Sequence, residues 1–218
     1  MRFENKFNLE SSKEYQFLYY LKNEEFIEIY PKRKISSIYY DSIGYELFNL
    51  SEEGISLRKK IRARFYNSET NKLRIEHKNK IGDLGAKKFQ DINEFSKDQL
   101  IDVDISKSFG EKKIIKIPKN IDICYFPVVL ITYQRRYFIQ SHPKVRLTLD
   151  NSIFFHNLES ENENLTISNS IEFPSNVVEV KYDYDIDPPS NFFRSISDPF
   201  NLILSRSSKY CNAIRYLK

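Results

Sequence analysis

The stretch LRKKIRARFY (residues 57–66) decides the fold class of this 218-residue chain. Residues 61–65 alternate strictly, with Arg62 and Arg64 between apolar or aromatic neighbours. Successive side chains of a β-strand point to opposite faces, so residues two apart share a face. The stretch therefore predicts a strand with one cationic face and one apolar face.

The same two-faced pattern recurs along the chain and predicts a mainly β protein. We expect strands at residues 2–9, 33–41, 56–66, 72–80, 87–94, 129–140, 144–151, 152–156 and 177–183. Further polar or charged side chains that share a strand face are Arg2, Glu4 and Lys6; Arg74, Glu76 and Lys78; Tyr133 and Arg135; and Glu179, Lys181 and Asp183. Arg146 lies in an otherwise apolar and β-branched strand.

Helix signals lie between the strands. Helical spacing or capping residues predict helices at residues 11–23, 44–53 and 96–109. Asp187-Pro188-Pro189 and Asp198-Pro199 each look like an N-cap followed by proline, which predicts two or three helices in the C-terminal stretch. The acidic segment 157–169 is expected to be a solvated loop, and no linker divides the chain, so we expect one domain over residues 1–218.

These elements predict an α+β fold built on a closed antiparallel β-barrel of about eight strands with helices packed outside. If helices cover the apolar faces, the charged faces turn inward, and closure removes exposed strand edges. Crowded, desolvated cations need a bound anion, and arginine prefers bidentate contact with phosphate or carboxylate. Interspersed carboxylates suggest Mg²⁺ or a similar ion, which usually binds through one or two carboxylates plus substrate phosphates.

A plainer interpretation competes with this one. Alternating Lys and Glu on a single strand usually marks a solvent-exposed face with cross-strand ion pairs. The recurrence of the pattern in five strands, with arginine at the centre of most of them, favours an anion-binding interior.

Nine fragments, in order along nearly the whole chain, resemble the polyphosphate polymerase domain of the vacuolar transporter chaperone (VTC) family, within the triphosphate tunnel metalloenzymes. They are RFENKF, SIYYDS, LRKKIRARFY, RIEHK, GAKKF, YQRRYF, VRLTLD, VVEVKY and SRSSKY. One departure concerns the opening strand. Many relatives in the wider superfamily begin with Glu-x-Glu-x-Lys, whereas the first position here is Arg2. Fewer carboxylates then remain for a metal, and Glu179 becomes the main candidate ligand.

The resemblance implies an enzyme that moves the terminal phosphoryl group of ATP onto a growing polyphosphate chain with a divalent cation, Mn²⁺ or Mg²⁺. The catalytic cations it implies are Lys6, Arg62, Arg64, Lys78, Arg135, Arg146, Lys181 and Lys209. It assigns substrate binding to Tyr133, Ser208 and one of the neighbours Lys87 and Lys88, between which the sequence does not choose. It assigns the metal to Glu179, with Glu4 and Glu76 as helpers or as partners that orient lysines.

Two other functions stay open from the sequence: a metal-dependent triphosphatase, and a non-catalytic polyphosphate sensor. ATP and polyphosphate are the expected partners. Nucleic acid is not expected, because the aromatic side chains alternate away from the charges and suit packing better than base stacking.

Composition bounds the class of protein. With 40% hydrophobic and 29% charged residues, the chain has the composition of a globular protein and not of a disordered one. It contains no apolar run of the length needed to cross a bilayer, and its N-terminus lacks a signal-peptide core, so we expect a cytoplasmic protein whose membrane coupling would need another protein. The two cysteines, Cys124 and Cys211, have no metal-ligand spacing.

Overall fold

A computed structural model describes residues 2–67, 69–81, 84–141, 144–161, 163–183, 192–205 and 208–218. Within these ranges the chain forms twelve strands: β1 (Arg2–Glu10), β2 (Ile27–Asp41), β3 (Leu57–Tyr66), β4 (Glu69–Ile81), β5 (Leu84–Asp91), β6 (Leu100–Asp104), β7 (Ile114–Pro118), β8 (Phe126–Gln140), β9 (Val145–Glu161), β10 (Asn164–Glu172), β11 (Ser175–Asp183) and β12 (Ile203–Leu204). The helices are α1 (Glu14–Asn23), α2 (Glu46–Glu52), α3 (Ser106–Phe109), α4 (Phe192–Ser197) and α5 (Lys209–Leu217). None of the described helices is long and apolar enough to span a bilayer.

All twelve strands belong to one open sheet, so the expected closed barrel is wrong. The strand order is β12-β1-β11-β9-β8-β2-β3-β4-β5, with β10, β6 and β7 branching from β9. Among the described residues, the end strands β12 and β5 do not pair with each other. The two edges are protected in other ways, because β12 is only two residues long and β5 carries Lys87 and Lys88. Strand edges protected in this way do not need to pair with each other, so the sheet need not close into a barrel.

Contacts divide the chain into two compact units. The first unit comprises Met1–Lys34, Tyr133–Ile153 and Glu172–Ser207, and the second comprises Ile35–Thr132, Phe154–Ile171 and Ser208–Lys218. Each unit has its own apolar core. The core of the first unit buries Phe17 and Leu21 of α1 with side chains of β1, β9 and β11, so here a helix does cover the apolar strand faces.

In the second unit, strands do much of this covering, and the helix predicted at 96–109 is wrong. This stretch forms a short 3-10 turn at Lys97–Gln99, then β6, then α3. Val103 and Ile105 are fully buried in the core of the unit, and Ile101 packs against it. Because β-branched side chains two apart fit one face of a strand, their alternation prevails over the apparent helical spacing.

The acidic segment 157–169 is also not the expected loop. Strand β9 continues through it to Glu161, and β10 begins at Asn164. Leu158 and Ile167 anchor the two strands in the core of the second unit, while the acidic side chains stay exposed. The strands predicted at 144–151 and 152–156 are likewise parts of the single strand β9, in which Ser152 has a positive φ of 48°.

At the C-terminus, Asp198-Pro199 begins a 3-10 turn at Asp198–Phe200, so a helical turn starts where one was predicted. Its N-cap residue is Ser197 and not Asp198, which is the first residue of the turn. Two α-helices, α4 and α5, flank this turn, which confirms a helical C-terminal stretch. The other predicted helix start, Asp187-Pro188-Pro189, lies outside the described residues.

Candidate functional site

Strands β3, β4 and β5 align their charged side chains in rows on one face, here called the cationic face. Directly opposite residues of antiparallel strands share a face, with Cβ atoms about 4.5–5.5 Å apart. The four rows are Arg64-Arg74-Asp91, Arg62-Glu76-Phe89, Lys60-Lys78-Lys87 and Arg58-Lys80-Gly85. The face therefore presents eight cations against the two carboxylates Glu76 and Asp91.

Glu76 is the buried counter-ion of this face. It accepts hydrogen bonds or ion pairs from Arg62 (2.6 and 2.8 Å), from Lys87 (3.4 Å) and from Arg64 (3.8 Å). Burial raises the pKa of Glu76, but the charges of Arg62 and Arg64 outweigh this effect and lower the pKa below its ordinary value. Glu76 therefore orients the arginines and the lysine that contact its carboxylate.

Strand β2, the neighbour of β3 opposite to β4, supplies hydrogen-bond partners for Arg62 and Arg64. Arg62 donates from Nη1 to the hydroxyl of Tyr39 at 3.0 Å, and Arg64 donates from Nε to the buried hydroxyl of Ser37 at 3.2 Å. Both supporting residues lie directly opposite their arginines in the β2–β3 register. Hydrogen bonds to Tyr39 and Ser37 thus fix the positions of the Arg62 and Arg64 side chains.

Tyr39 is a functional candidate that sequence reasoning missed. Its ring stacks on Tyr210 of α5 at 5.2 Å between centroids, and the Tyr210 hydroxyl donates to the buried carboxylate of Asp41. Burial raises the pKa of Tyr39, but the charges of Arg62 and Arg64 and the hydrogen bond from Arg62 lower it to about 8. The only sequence signal was its place in SIYYDS, two residues after Ser37 and on the same strand face.

The row Lys60-Lys78-Lys87 extends to the start of α5. Lys60 donates from Nζ to Ser208 Oγ at 2.8 Å, and Ser208 is the N-cap residue of the helix that begins at Lys209. The Ser208 side chain makes no capping hydrogen bond to the helix backbone. Backbone N–H groups at a helix N-terminus favour anions, so this helix end adds to the positive character of the row.

The pairing of β4 with β5 separates the two neighbouring lysines. Lys87 lies opposite Lys78, on the cationic face. Lys88 lies opposite His77, on the other face of the same strands. Of the two predicted candidates, only Lys87 shares a face with Arg62 and Glu76.

The first unit contains a second charged group, here called the balanced cluster: Glu4, Lys6, Glu179 and Lys181. The register of β1 and β11 places Glu4 opposite Lys181 and Lys6 opposite Glu179. Lys6 binds Glu4 at 2.8 Å, while Lys181 binds Glu179 at 2.5 Å and Glu4 at 3.5 Å. The side chains of Arg2 and Asp183, predicted to share this face, lie outside the described part of the structure.

Opposing charges keep both glutamates of this cluster ionised. Burial raises the pKa of Glu179, but the charges of Lys6, Arg135 and Lys181 hold it well below its usual range. Burial and the neighbouring Glu179 raise the pKa of Glu4. Lys6 and Lys181 lower it by more, so the pKa of Glu4 lies below its ordinary value. The cluster is therefore a set of mutually compensating charges on adjacent strands.

Arg135 is committed to a partner that the sequence did not reveal. It donates from Nε and Nη2 to the two carboxylate oxygens of Asp150, at 2.5 and 2.6 Å, and Asp150 is fully buried. The guanidinium carbon also lies 5.3 Å from the ring centre of the buried Tyr133. The only hint of Asp150 was its position at the end of VRLTLD, on the same strand face as Arg146.

Arg146 is exposed and lies opposite Lys181 in the β9–β11 register. It therefore continues the row that contains Glu4 and Lys181 by one further strand. Tyr133, Arg135, Arg146 and the balanced cluster all belong to the first unit, whereas the other predicted site residues belong to the second.

The balanced cluster contains two of the carboxylates predicted to take part in binding a divalent cation, Glu4 and Glu179. Glu4 and Glu179 approach closely enough for Lys181 to contact both. Mg²⁺ usually binds through one or two carboxylates and takes its remaining ligands from phosphates and water. No group of three or more His, Cys, Asp and Glu side chains among the described residues has the arrangement of a metal site. The pair therefore suits an ion that arrives with a phosphate, and not a metal held by protein ligands alone.

Comparison with known proteins identifies the family. The protein-family model described as VTC domain matches residues 1–218, the whole chain. The chain belongs to the VTC domain family. This membership confirms the resemblance on which the site residues were predicted, and no curated protein matches the chain.

Two solved structures have a similar fold. One is a candidate adenylate cyclase from Vibrio parahaemolyticus, with 13% identity, coverage of 98% of each chain and a TM-score of 0.51. Another is a candidate adenylate cyclase from Bacillus halodurans, with 12% identity, coverage of 95% of this chain and 94% of that one, and a TM-score of 0.50. At such low identity, the likeness of this VTC domain to these proteins shows a common fold and nothing more specific.

Proposed function

We propose that this VTC domain is a polyphosphate polymerase, which transfers the terminal phosphoryl group of ATP to the end of a polyphosphate chain. The observation that supports it most is the row Lys60-Lys78-Lys87, in which three cations lie directly opposite one another on adjacent strands. Like charges in this position destabilise a sheet. A protein that keeps such a row gains from it when a polyanion binds.

The geometry of the cationic face suits a linear phosphate chain. Successive rows are two residues apart along each strand, which corresponds to roughly 7 Å. A polyphosphate carries negative charge on every unit, so it meets cations repeatedly as it extends along the rows. Arginine supplies bidentate contacts and lysine compact point charges, and the face offers both.

The chemistry requires little more than positioning and charge compensation. In the proposed reaction the bond from the γ-phosphorus of ATP to its bridging oxygen breaks, ADP leaves, and a terminal oxygen of the polyphosphate forms the new P–O bond. Phosphoryl transfer of this kind depends on alignment and on neutralising the charge of the transferred group. Arg62 and Arg64, held by Tyr39, Ser37 and Glu76, have the fixed orientation that such stabilisation needs.

Glu4 and Glu179 are the residues that would hold a divalent cation, Mn²⁺ or Mg²⁺. When bound, the ion neutralises charge on phosphate oxygens. Lys6 and Lys181 contact these carboxylates in its absence and keep them ionised. Membership of the VTC domain family supports a role for the chain in phosphate chemistry.

The direct test is incubation of the protein with ATP and either Mn²⁺ or Mg²⁺. Gel electrophoresis should reveal polyphosphate, and ADP should form in step with it while free phosphate stays low. Free phosphate without polymer would replace the polymerase by a triphosphatase. Tight polyphosphate binding without turnover under either metal would replace it by a sensor.

A further inference from the structure

The fourth row of the cationic face, Arg58-Lys80-Gly85, lies beyond the residues that family resemblance assigns. Arg58 lies opposite Lys80 on β4, and Lys80 lies opposite Gly85 on β5. No carboxylate belongs to this row or to the neighbouring row Lys60-Lys78-Lys87, so five cations occupy adjacent rows of the described strands. Asp91 and Glu76 belong to the other two rows, and Glu76 also contacts Lys87 at 3.4 Å.

Arg58 has an unsatisfied donor. Its Nε is buried and has no hydrogen-bond partner among the described residues. Buried polar groups are nearly always paired, so an orphan donor calls for an explanation such as a missing ligand. An anionic oxygen would supply the partner that the described part of the chain does not.

The row also has open space. Among the described residues, a Cβ placed on Gly85 would meet no atom closer than the backbone oxygen of Asn79, at 4.0 Å. The position opposite Lys80 is therefore not filled by a side chain, while a bulky Phe89 occupies the equivalent position opposite Glu76. A ligand can approach Lys80 from this side.

We propose that Arg58 and Lys80 form a distal phosphate subsite, which binds units of a phosphate chain that extend past the row Lys60-Lys78-Lys87. The four rows together span roughly 20 Å along β3, from Arg64 to Arg58. A triphosphate, with three phosphorus atoms, is too short to contact all of them. The distal subsite therefore discriminates long chains from short ones, and it rests on the proposed function because it assumes that the same face binds phosphates.

The test compares two probes, inorganic tripolyphosphate and long-chain polyphosphate, by calorimetry at one fixed salt concentration. The double variant R58Q/K80Q should weaken long-chain binding at least tenfold, since each lost contact to a charged group corresponds to about a tenfold change or more. It should leave the Kd for tripolyphosphate within about twofold of the wild type. The variant R58K/K80R keeps both charges and should bind the long chain nearly as the wild type does.

A matched control removes the same charge from the opposite face of the same three strands. Lys59 and Lys88 lie on that face, so K59Q/K88Q should retain long-chain affinity. Equal weakening of both probes by R58Q/K80Q, unchanged long-chain binding, or an equal effect of K59Q/K88Q would overturn the distal subsite. If the double variant does not fold, the single variant Lys80→Gln is tested instead. It should weaken binding of the long chain and leave the Kd for tripolyphosphate unchanged. A wild-type protein that binds neither probe would instead overturn the proposed function itself.

Discussion

The two charged regions of this protein are built on opposite principles. In the first unit, the balanced cluster and the pair Arg135–Asp150 set each cation against a carboxylate. In the second unit, the cationic face sets eight cations against two carboxylates. The first region pairs cations and carboxylates in equal number, whereas on the cationic face the cations of the four rows outnumber the carboxylates.

This difference in charge balance predicts different effects of neutral substitutions on stability. Breaking a buried ion pair leaves an uncompensated charge and is strongly destabilising. Removing one of several like charges from a row relieves repulsion instead, at the expense of ligand binding. Equivalent neutral substitutions in the two regions should thus have opposite effects on stability.

The largest effect on stability is expected from Asp150→Asn. This change leaves the guanidinium of Arg135 buried without its counter-ion and should lower the free energy of unfolding by about 3–5 kcal/mol. Denaturant unfolding measures it. The control is Asp102→Asn, which breaks the exposed ion pair with Lys116, where the two charged atoms lie 2.7 Å apart. It should lower the free energy of unfolding by no more than about 1 kcal/mol. Equal effects of the two substitutions would remove the distinction on which the comparison rests.

Glu179→Gln should reduce turnover by roughly 10²–10³-fold, the range for loss of one preorganised electrostatic group. The carboxylate stays ionised across neutral pH, so the variant removes a full negative charge and half of the proposed metal pair. Binding of ATP without metal should persist or tighten for the same reason. Turnover is measured with Mn²⁺, with Mg²⁺ and with chelator, and the exposed Glu172→Gln serves as control. Full activity of E179Q, or wild-type activity in chelator, would show that the metal role is wrong.

Lys78→Gln should raise the Kd for tripolyphosphate about tenfold, because it removes the central cation of the row. Its unfolding midpoint should stay the same or rise, since two like-charge contacts are relieved. Lys88→Gln, one strand away on the opposite face, should change neither quantity. A K78Q variant that loses stability as D150N does would place Lys78 among the structural charges.

The smallest effect concerns the pH dependence contributed by Tyr39, whose pKa is lowered to about 8. Above this pH the phenol ionises in the folded protein, while in the unfolded chain it ionises near its ordinary value of about 10. The unfolded chain therefore binds more protons between these values, and the contribution of Tyr39 to stability grows with pH from about 8 to 10 and is absent below 8.

Absorbance titration tests this pH dependence. The wild type should show tyrosinate formation near pH 8 that Tyr39→Phe lacks. Tyr15→Phe, at an 81% exposed position, should keep that step. Identical titrations of the wild type and Y39F would indicate that the cationic face does not act on Tyr39 as described.

Sequence patterns identified most of the charged strand faces. Arg62, Glu76 and Lys78 were predicted to lie on charged strand faces, which the alternation within each strand is enough to indicate. The pairing of β3 with β4 places all three on one face. Asp150 and Tyr39 were not identified as site residues. Each acts through a side chain on an adjacent strand, and the partner depends on strand register, which no local pattern specifies.

What the sequence by itself determined is the alternation of charged and apolar side chains and the family to which the chain belongs, since both are properties of residues in order along the chain. Tertiary structure alone decided that Lys87 and not Lys88 joins the cationic face, that Arg135 pairs with Asp150, and that the sheet stays open. These outcomes depend on register and on how strand edges are protected. Both arise from contacts between segments distant in sequence, where a shift of one residue would move every side chain to the opposite face.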